Sequence, residues 1–144
     1  MVEWSGGWRA PPPPNFAILV RMTEKQKTGA LGEAIARRHL REAGYEIVAA
    51  GYRYKRVELD LIARKPDGCL VFVEVKTRRG LGYGHPSAAV TPAKERRMAR
   101  AASAYMREVD HQWEVRFDII SVLLDRDDRY TLEHAEDAFF PGLF

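Results

Sequence analysis

The sequence predicts an α/β fold in which two helices pack on a mixed β-sheet, with the element order αβββαβ. Residues 28–43 and 91–108 carry helix start signals, and apolar side chains follow at helical spacing. Aliphatic runs at 57–64 and 69–78 are separated by a turn, which predicts a hairpin. Since helices and strands share one short chain, we expect the helices to lie against the sheet.

The first helix is predicted over Thr28–Ala43, with Thr28 as a candidate N-cap and Gly44 as the residue that ends it. Its apolar stripe consists of Leu31, Ile35 and Leu40. The second helix is predicted to begin with Thr91 as N-cap and Pro92 at the first helical position, and to run to about Glu108.

The predicted strands account for most of the remaining core. The turn Lys65–Gly68 contains a proline, which presets φ, and a glycine, which supplies a positive φ, so the chain doubles back there. The expected strands are Tyr45–Ala50, Val57–Arg64, Cys69–Arg78 and Trp113–Leu124, with a further edge strand at Tyr130–His134.

The chain is expected to divide into an extension at 1–27, a folded domain at 28–124 and an acidic segment at 125–144. The run Pro11–Pro14 favours polyproline II and cannot lie inside a helix or central strand, so we expect the extension to be disordered. Because Met22 directly precedes the domain, one interpretation is that translation starts there. The alternative is a flexible arm whose Trp4, Trp8 and Arg9 stack on nucleic-acid bases.

The composition is that of an ordinary soluble domain, with 144 residues, 46% hydrophobic and 30% charged. No apolar run approaches the roughly 18 residues of a membrane span, and Met1–Pro14 lacks the apolar segment of a signal peptide. Cys69 is the single cysteine, so an internal disulfide is excluded. These observations predict a cytoplasmic protein.

The net charge of +3 hides an uneven distribution. Residues 21–107 hold 19 Lys and Arg against 9 Asp and Glu, whereas the rest of the chain holds 4 against 11. A basic region predicts a polyanionic partner such as nucleic acid. The alternative is a solvated basic helix face.

Charged side chains interrupt both strands of the predicted hairpin. Asp60 lies in the aliphatic run 57–62, and Glu74 and Lys76 lie in the run 70–76. Burying an unpaired charge is very costly, so we expect these three residues to share one site. Glu74 and Lys76 point the same way, about 6.6 Å apart along the strand. Two carboxylates suit Mg²⁺, and a neighbouring lysine can hold a nucleophilic water or offset phosphate charge.

Asp60 with Glu74-x-Lys76 is similar to the PD-(D/E)xK nuclease motif, and five blocks within residues 28–124 together resemble the YraN family of small bacterial proteins. The blocks are Gly29–Ala34, Glu58–Ile62, Phe72–Arg78, Ala89–Lys94 and Arg116–Asp118. The family usually has glycine where this chain has Val57. The resemblance implies a restriction-endonuclease-like core with a Mg²⁺ or Mn²⁺ site, in a family with no firmly assigned role.

The resemblance adds candidates to the site. Related nucleases often use a first-helix glutamate, so Glu33 would be a third ligand or would order a metal-bound water; the alternative is a surface glutamate favoured by the helix dipole. Glu58 is expected on the same face as the aspartate two residues later, as an outer or second-metal ligand. Its alternative is an exposed residue paired with Arg53 or Lys55. The fold's known sites also imply the backbone carbonyl of Val75 as a ligand.

Basic and hydroxyl side chains near the predicted site are candidates for phosphate contact. They are Thr77, Arg78 and Arg79 after the third strand, with Lys94 and Arg97 on one face of the second helix. The alternatives are a basic strand end and a solvated helix face.

The remaining polar residues are expected to have structural roles. The histidines have no partner at a metal-ligand spacing and are expected at the surface or in loops; they are His39, His85, His111 and His134. Cys69 is interpreted as core packing. Asp118 alternates with apolar neighbours and is expected to pair with Arg116 or a helix residue.

The leading hypothesis is therefore a Mg²⁺- or Mn²⁺-dependent endonuclease that hydrolyses phosphodiester bonds, with DNA favoured over RNA and DNA processing or repair as its setting. Several enzymes of this fold act as dimers, so a homodimer is a further expectation from the resemblance. The main alternative is a non-catalytic nucleic-acid-binding module with the nuclease fold. A third hypothesis is an interaction protein whose acidic C-terminal segment binds a basic partner.

Overall fold

The computed structural model describes residues 2–4, 22–80 and 89–141, which form one six-stranded sheet and two α-helices. The predicted α/β fold and the αβββαβ order of its core are confirmed. The elements are β1 (Val2–Trp4), α1 (Glu24–Glu42), β2 (Glu46–Tyr54), β3 (Val57–Arg64), β4 (Leu70–Arg79), α2 (Pro92–Glu108), β5 (Val115–Leu124) and β6 (Tyr130–Phe139).

The sheet is mixed, with the strand order β1-β6-β5-β4-β3-β2. β4 and β5 run parallel, and the other neighbouring pairs are antiparallel. Parallel neighbours need a crossover connection, and α2 provides it between β4 and β5. β4, which carries Glu74 and Lys76, therefore lies inside the sheet between β3 and β5.

Each helix packs with one set of alternating β4 side chains. Val71 and Val73 belong to the apolar cluster that includes α1, whereas Leu70 and Phe72 belong to the cluster that includes α2. This alternation follows from the strand pleat. It continues into the polar end of the strand, where Glu74 lies on the side of α2.

The first helix begins earlier than predicted, because Thr23 and not Thr28 is its N-cap. The Thr23 hydroxyl accepts from the Gln26 backbone N–H, and the Gln26 side chain accepts from the Thr23 backbone N–H at 2.9 Å. This capping box satisfies two N–H groups that the helix itself cannot pair. The prediction for α2 is confirmed, since Thr91 caps it and Pro92 opens it.

Two strands are longer than predicted. β2 runs to Tyr54 instead of Ala50, and β6 runs to Phe139 instead of His134. In both, backbone pairing with the neighbouring strand continues beyond the aliphatic pattern. β3 has the predicted bounds.

Parts of the terminal segments are ordered elements. Val2–Trp4 pairs with β6 at the sheet edge, and residues 24–27 belong to α1. The rest of residues 1–21 lies outside the described chain, so disorder there and a translation start at Met22 stay predictions. Neither described helix is long and apolar enough to cross a membrane.

Candidate functional site

Asp60 lies where β3 and β4 separate. The paired residues of these two strands end at Leu61 and Val73, and Asp60 is the next residue of β3. Its Oδ2 accepts a hydrogen bond of 2.8 Å from the backbone N–H of Val75. The carboxylate thus bonds to a backbone group of β4 beyond the end of the ladder and is fixed beside that strand.

Glu74 and two lysines lie next to this point. Glu74 is 9% exposed, and the Lys94 ammonium, in the first turn of α2, lies 3.1 Å from Glu74 Oε1. Lys76 follows on the same strand, and its Nζ donates to the backbone carbonyl of Ala89. The structure therefore brings Asp60, Glu74 and Lys76 into one region and adds Lys94, which had been expected to contact phosphate.

The carboxylates in this region repel one another. Burial and then the charges of Glu74 and Glu33 raise the pKa of Asp60 to about 7, although the hydrogen bond from Val75 acts in the opposite direction. Burial also raises the pKa of Glu33, and the nearby charges of Glu58 and Glu74 add to that rise. Crowded carboxylates with raised pKa values favour a cation that neutralises them.

Lys76 is shifted toward its neutral form. Burial lowers its pKa, and the charges of Lys94 and Arg78 act in the same direction, while Glu74 opposes them. A lysine with a lowered pKa holds its proton less firmly and is better able to exchange it.

A cleft of about 600 Å³ opens beside Asp60, with residues of α1 and of the end of β4 lining it. Glu33 and Thr77 are among them. α1 approaches β4 closely here because residue 32 is glycine: a Cβ at Gly32 would lie 1.9 Å from Thr77 Oγ1. The Asp60 carboxylate is therefore close enough to be repelled by two others, those of Glu33 on α1 and of Glu74, which faces α2.

The residues fit a cation held by two carboxylates. Asp60 Oδ1 and Glu74 Oε2 make no hydrogen bond or ion pair with any part of the described chain, so both remain available as ligands. Mg²⁺ commonly takes one or two carboxylates and fills its other positions with water and phosphate oxygens. Within residues 22–80 and 89–141, no group of three or more His, Cys, Asp or Glu is arranged to hold a metal ion. Glu33 therefore lies near the carboxylate pair without completing a ligand set.

Glu58 matches the alternative expected for it. Its Oε2 accepts a bond of 3.2 Å from Arg53 Nε, and both side chains are exposed. A ligand role for the Val75 carbonyl stays a prediction, because the contact shown for this residue is the donation by its N–H to Asp60.

Apart from Lys94, which pairs with Glu74, the residues expected to contact phosphate fall into three groups. Arg79 is held within the protein, since its Nη1 donates at 2.8 Å to both the Asp125 carbonyl and Asp128 Oδ1, which favours the structural alternative. Thr77 and Arg78 line the cleft beside Asp60. Arg97 lines a different groove, together with other residues of α2 and with the turn between β2 and β3.

A second polar cluster, centred on Asp118, was only partly predicted. Asp118 is fully buried and receives two hydrogen bonds of 2.8 Å from Arg116, as expected. It also accepts from His134 Nε2 at 2.7 Å, and the His134 Nδ1 lies 2.9 Å from His39 Nε2. Arg116 further donates to the Tyr45 hydroxyl at 2.6 Å.

The expectation that all four histidines lie at the surface or in loops is wrong for two of them. His39 is on α1 and His134 is on β6, and their mutual contact is partly buried. Their 95-residue separation leaves no local spacing that would have revealed the pair. His111 lies in a loop as predicted, His85 lies outside the described residues, and Cys69 is buried in the core as predicted.

The fold and this geometry define an α/β protein with two carboxylates and two lysines gathered at the middle of a mixed sheet. Comparison with known proteins adds the family. The model described as "Uncharacterised protein family UPF0102" matches residues 32–122, so the chain belongs to the UPF0102 family, and the predicted YraN-like membership is confirmed.

Relatives in this family match most of the chain. A UPF0102 protein of Nocardia farcinica is 48% identical over 123 residues, covering 85% of this chain and 96% of the relative. One from Chlorobaculum tepidum is 47% identical over 127 residues, covering 84% and 98%. Among solved structures, SfsA of Pyrococcus furiosus in complex with Ca²⁺ has a TM-score of 0.35 and 11% identity, covering 78% of this chain and 63% of that one. That likeness is too weak to carry functional information.

Proposed function

We propose that this protein is a divalent-metal-dependent endonuclease that hydrolyses phosphodiester bonds. The observation that supports this most is the convergence of Asp60 and Glu74 from neighbouring strands, with the Lys94 ammonium 3.1 Å from Glu74 and Lys76 on the same strand. Carboxylates that gather a cation and ammonium groups that attract phosphate are the groups that metal-dependent phosphodiester hydrolysis uses.

Asp60 and Glu74 are the residues that would hold Mg²⁺ or Mn²⁺. When bound, such an ion polarises the scissile phosphate and lowers the pKa of the attacking water. The Val75 N–H fixes one Asp60 oxygen, and the other has no hydrogen-bond partner among the described residues. Lys94 holds Glu74 in the same way from α2.

Lys76 is proposed to orient the attacking water and, in its neutral form, to accept a proton from it. Its lowered pKa suits this role, because more of the amine is then in the neutral form that can accept a proton. Lys94 and Arg78 are proposed to offset the charge of the flanking phosphates. DNA is the proposed substrate in preference to RNA, and the cytoplasm is the proposed location; a homodimer is the form in which both strands of a duplex would be cut.

The test is cleavage by purified protein with Mn²⁺ or Mg²⁺, on supercoiled, single-stranded and branched DNA and on RNA. The Asp60→Ala variant is expected to lose cleavage by at least about a thousandfold and to keep nucleic-acid binding. Asp127→Ala is the matched control, because Asp127 is an exposed carboxylate on the β5–β6 turn. Normal cleavage by Asp60→Ala would rule out the mechanism, as would an inactive wild-type protein on every substrate.

A non-catalytic nucleic-acid-binding module is the second candidate. The groove that Arg97 lines favours it, because six lysines and arginines line that groove. Carboxylates facing phosphates would weaken binding in such a protein, so Asp60→Ala would then bind nucleic acid more tightly than the wild type, and neither protein would cleave.

A further inference from the structure

A groove lined by basic side chains lies between α2 and the turn that joins β2 to β3, with a volume of about 760 Å³. Tyr54, Val57 and Ala99 add apolar surface to it, and no described residue that lines it is acidic. Its six cations are Lys55, Arg56, Arg96, Arg97, Arg100 and Arg107.

These six cations differ from much of the basic surface of the described chain in lacking carboxylate partners, although Lys55 Nζ lies 5.3 Å from the centre of the Tyr54 ring. Elsewhere in the described chain, eight lysines and arginines form ion pairs with carboxylates: Lys27, Arg38, Arg53, Arg64, Lys65, Arg79, Lys94 and Arg116. None of the groove cations forms an ion pair with a described carboxylate, and all six are exposed. Like charges gathered without counter-ions repel one another, so an external polyanion is the chemistry that offsets them.

Three arginines of α2 form a row that a nucleic-acid backbone can follow. Arg96, Arg100 and Arg107 recur at i, i+4 and i+11, which places them along one side of α2. At 1.5 Å per residue they extend over about 16 Å. The row is therefore long enough to contact several successive phosphates of one strand.

The groove and the candidate site share the helix α2, although no residue lines both the groove and the cleft beside Asp60. Lys94 contacts Glu74, and Arg97 follows one helical turn later on the same helix. We propose that this groove binds a single strand of nucleic acid through its phosphates and leads that strand to the Asp60–Glu74 region. The delivery of the strand to the Asp60–Glu74 region rests on the proposed nuclease function. A single strand is favoured over a duplex because Tyr54 and Val57 offer apolar surface that suits unpaired bases.

Binding can be measured apart from cleavage, by fluorescence anisotropy of a labelled DNA strand of about 20 nucleotides in EDTA. The test variant is R96A/R100A, which removes two groove cations. R41A/R126A is the matched control, because both arginines are exposed, lie outside the groove and form no ion pair with described residues. R96K/R100K keeps the charge, and R56A/R97A removes one cation from each side of the groove. Circular dichroism melts check that every variant folds.

Both groove alanine pairs are expected to weaken binding by at least about tenfold near 0.1 M salt, and to lower the slope of log affinity against log salt by about 2. R41A/R126A is expected to stay within about twofold of the wild type, and R96K/R100K to keep most of the affinity. Equal losses in the groove and control variants, or no loss in either groove variant, would overturn the proposal. Tighter binding to duplex than to single strand would overturn its choice of ligand, as would binding to phosphatidylglycerol vesicles without binding to DNA.

The groove and the nuclease can fail separately. If groove variants lose binding while the wild type cuts no substrate, the binding role of the groove is supported and the proposed nuclease function is contradicted. If Asp60→Ala abolishes cleavage while R96A/R100A binds and cuts like the wild type, the nuclease function is supported and the binding role of the groove is contradicted.

Discussion

Asp60 and Asp118 are both aspartates on strands of the same sheet, yet their surroundings are opposite. Asp118 receives four hydrogen bonds, two from Arg116, one from His134 and one from the Asp137 backbone N–H. Asp60 receives one, from a backbone N–H, and faces other carboxylates. Burial alone would raise the pKa of both; hydrogen bonds hold the pKa of Asp118 below its ordinary value, while burial and repulsion bring that of Asp60 to about 7.

The difference separates a carboxylate that stabilises the fold from one that is open to a ligand. The Asp118 cluster joins β5 to β6 and, through His134, to His39 on α1, so its polar groups are satisfied within the protein. In the Asp60 region, Asp60 Oδ1 and Glu74 Oε2 have no hydrogen bond or ion pair with the described residues. Electrostatic repulsion between carboxylates is expected at functional sites, where a bound ligand can neutralise it.

The largest expected effect on stability is at Asp118, whose carboxylate is fully hydrogen-bonded within the protein. Asp118→Ala leaves Arg116, whose side chain is 14% exposed, without its main partner, and we expect it to lower the free energy of unfolding at pH 7 by about 3–5 kcal/mol. Because folding lowers the pKa of Asp118, its contribution is present above the unfolded pKa and is lost as the pH falls through the folded pKa. Urea denaturation measures the loss, with Asp127→Ala as control. A loss below about 1 kcal/mol would mean that the cluster does not hold the fold.

At Asp60 we expect a substitution to stabilise the protein, in contrast to the substitution at Asp118. Its folded pKa lies above the value of 3.8 for an unperturbed aspartate, so the folded state gives up stability as the pH rises through about 7. Asp60→Asn removes that cost and can still accept from Val75. We expect it to stabilise the metal-free protein by roughly 2–4 kcal/mol at pH 8 and to have no effect below about pH 4. Urea denaturation in EDTA at both pH values tests this, and destabilisation at pH 8 would contradict it.

A smaller effect tests how α1 is held over the Asp60 region. Gly32→Ala would place a Cβ against Thr77 and is expected to cost about 1–3 kcal/mol. Gly29→Ala is the matched control on the same helix, since nothing lies within 4 Å of the added Cβ, and it is expected to stabilise the protein by about 0.5–1 kcal/mol. Equal effects of the two substitutions in thermal unfolding would show that the close approach of α1 and β4 is not required.

The smallest expected effect is stabilisation by the metal. Mn²⁺ at about ten times its dissociation constant should add about 1.4 kcal/mol to the wild type at pH 8, seen as a higher Tm. The gain should fall below pH 7, because protons compete for Asp60 as the pH drops through its raised pKa. A gain that is independent of pH, or that persists in Asp60→Asn, would place the ion elsewhere.

The sequence carried enough information to predict the fold and the centre of the site. Strand alternation and the Pro-Asp-Gly turn predict that Asp60 and Glu74 meet on neighbouring strands, because both effects act over a few residues. The error at the start of α1 was avoidable, since Thr23 and Gln26 form the Thr-x-x-Gln pattern of a capping box.

Long-range pairs were not predictable in the same way. Arg116 reaches Tyr45 across 71 residues, and His39 reaches His134 across 95, so no local pattern marks them. The groove cations could not be predicted from the sequence either. A sequence shows which residues are basic, but it does not show which of them lack a carboxylate neighbour. Arg79 and Arg97 look alike in the sequence, yet the structure pairs Arg79 with Asp128 and leaves Arg97 in the groove.

The most direct test of the contrast between the two aspartates is calorimetric titration of the purified protein with Mn²⁺ at pH 7.5. The wild type and Asp127→Ala should bind the ion with equal affinity, and Asp60→Asn should lose at least about a hundredfold. Unchanged Mn²⁺ binding by Asp60→Asn, or no binding by the wild type, would contradict the assignment of Asp60 as a metal ligand.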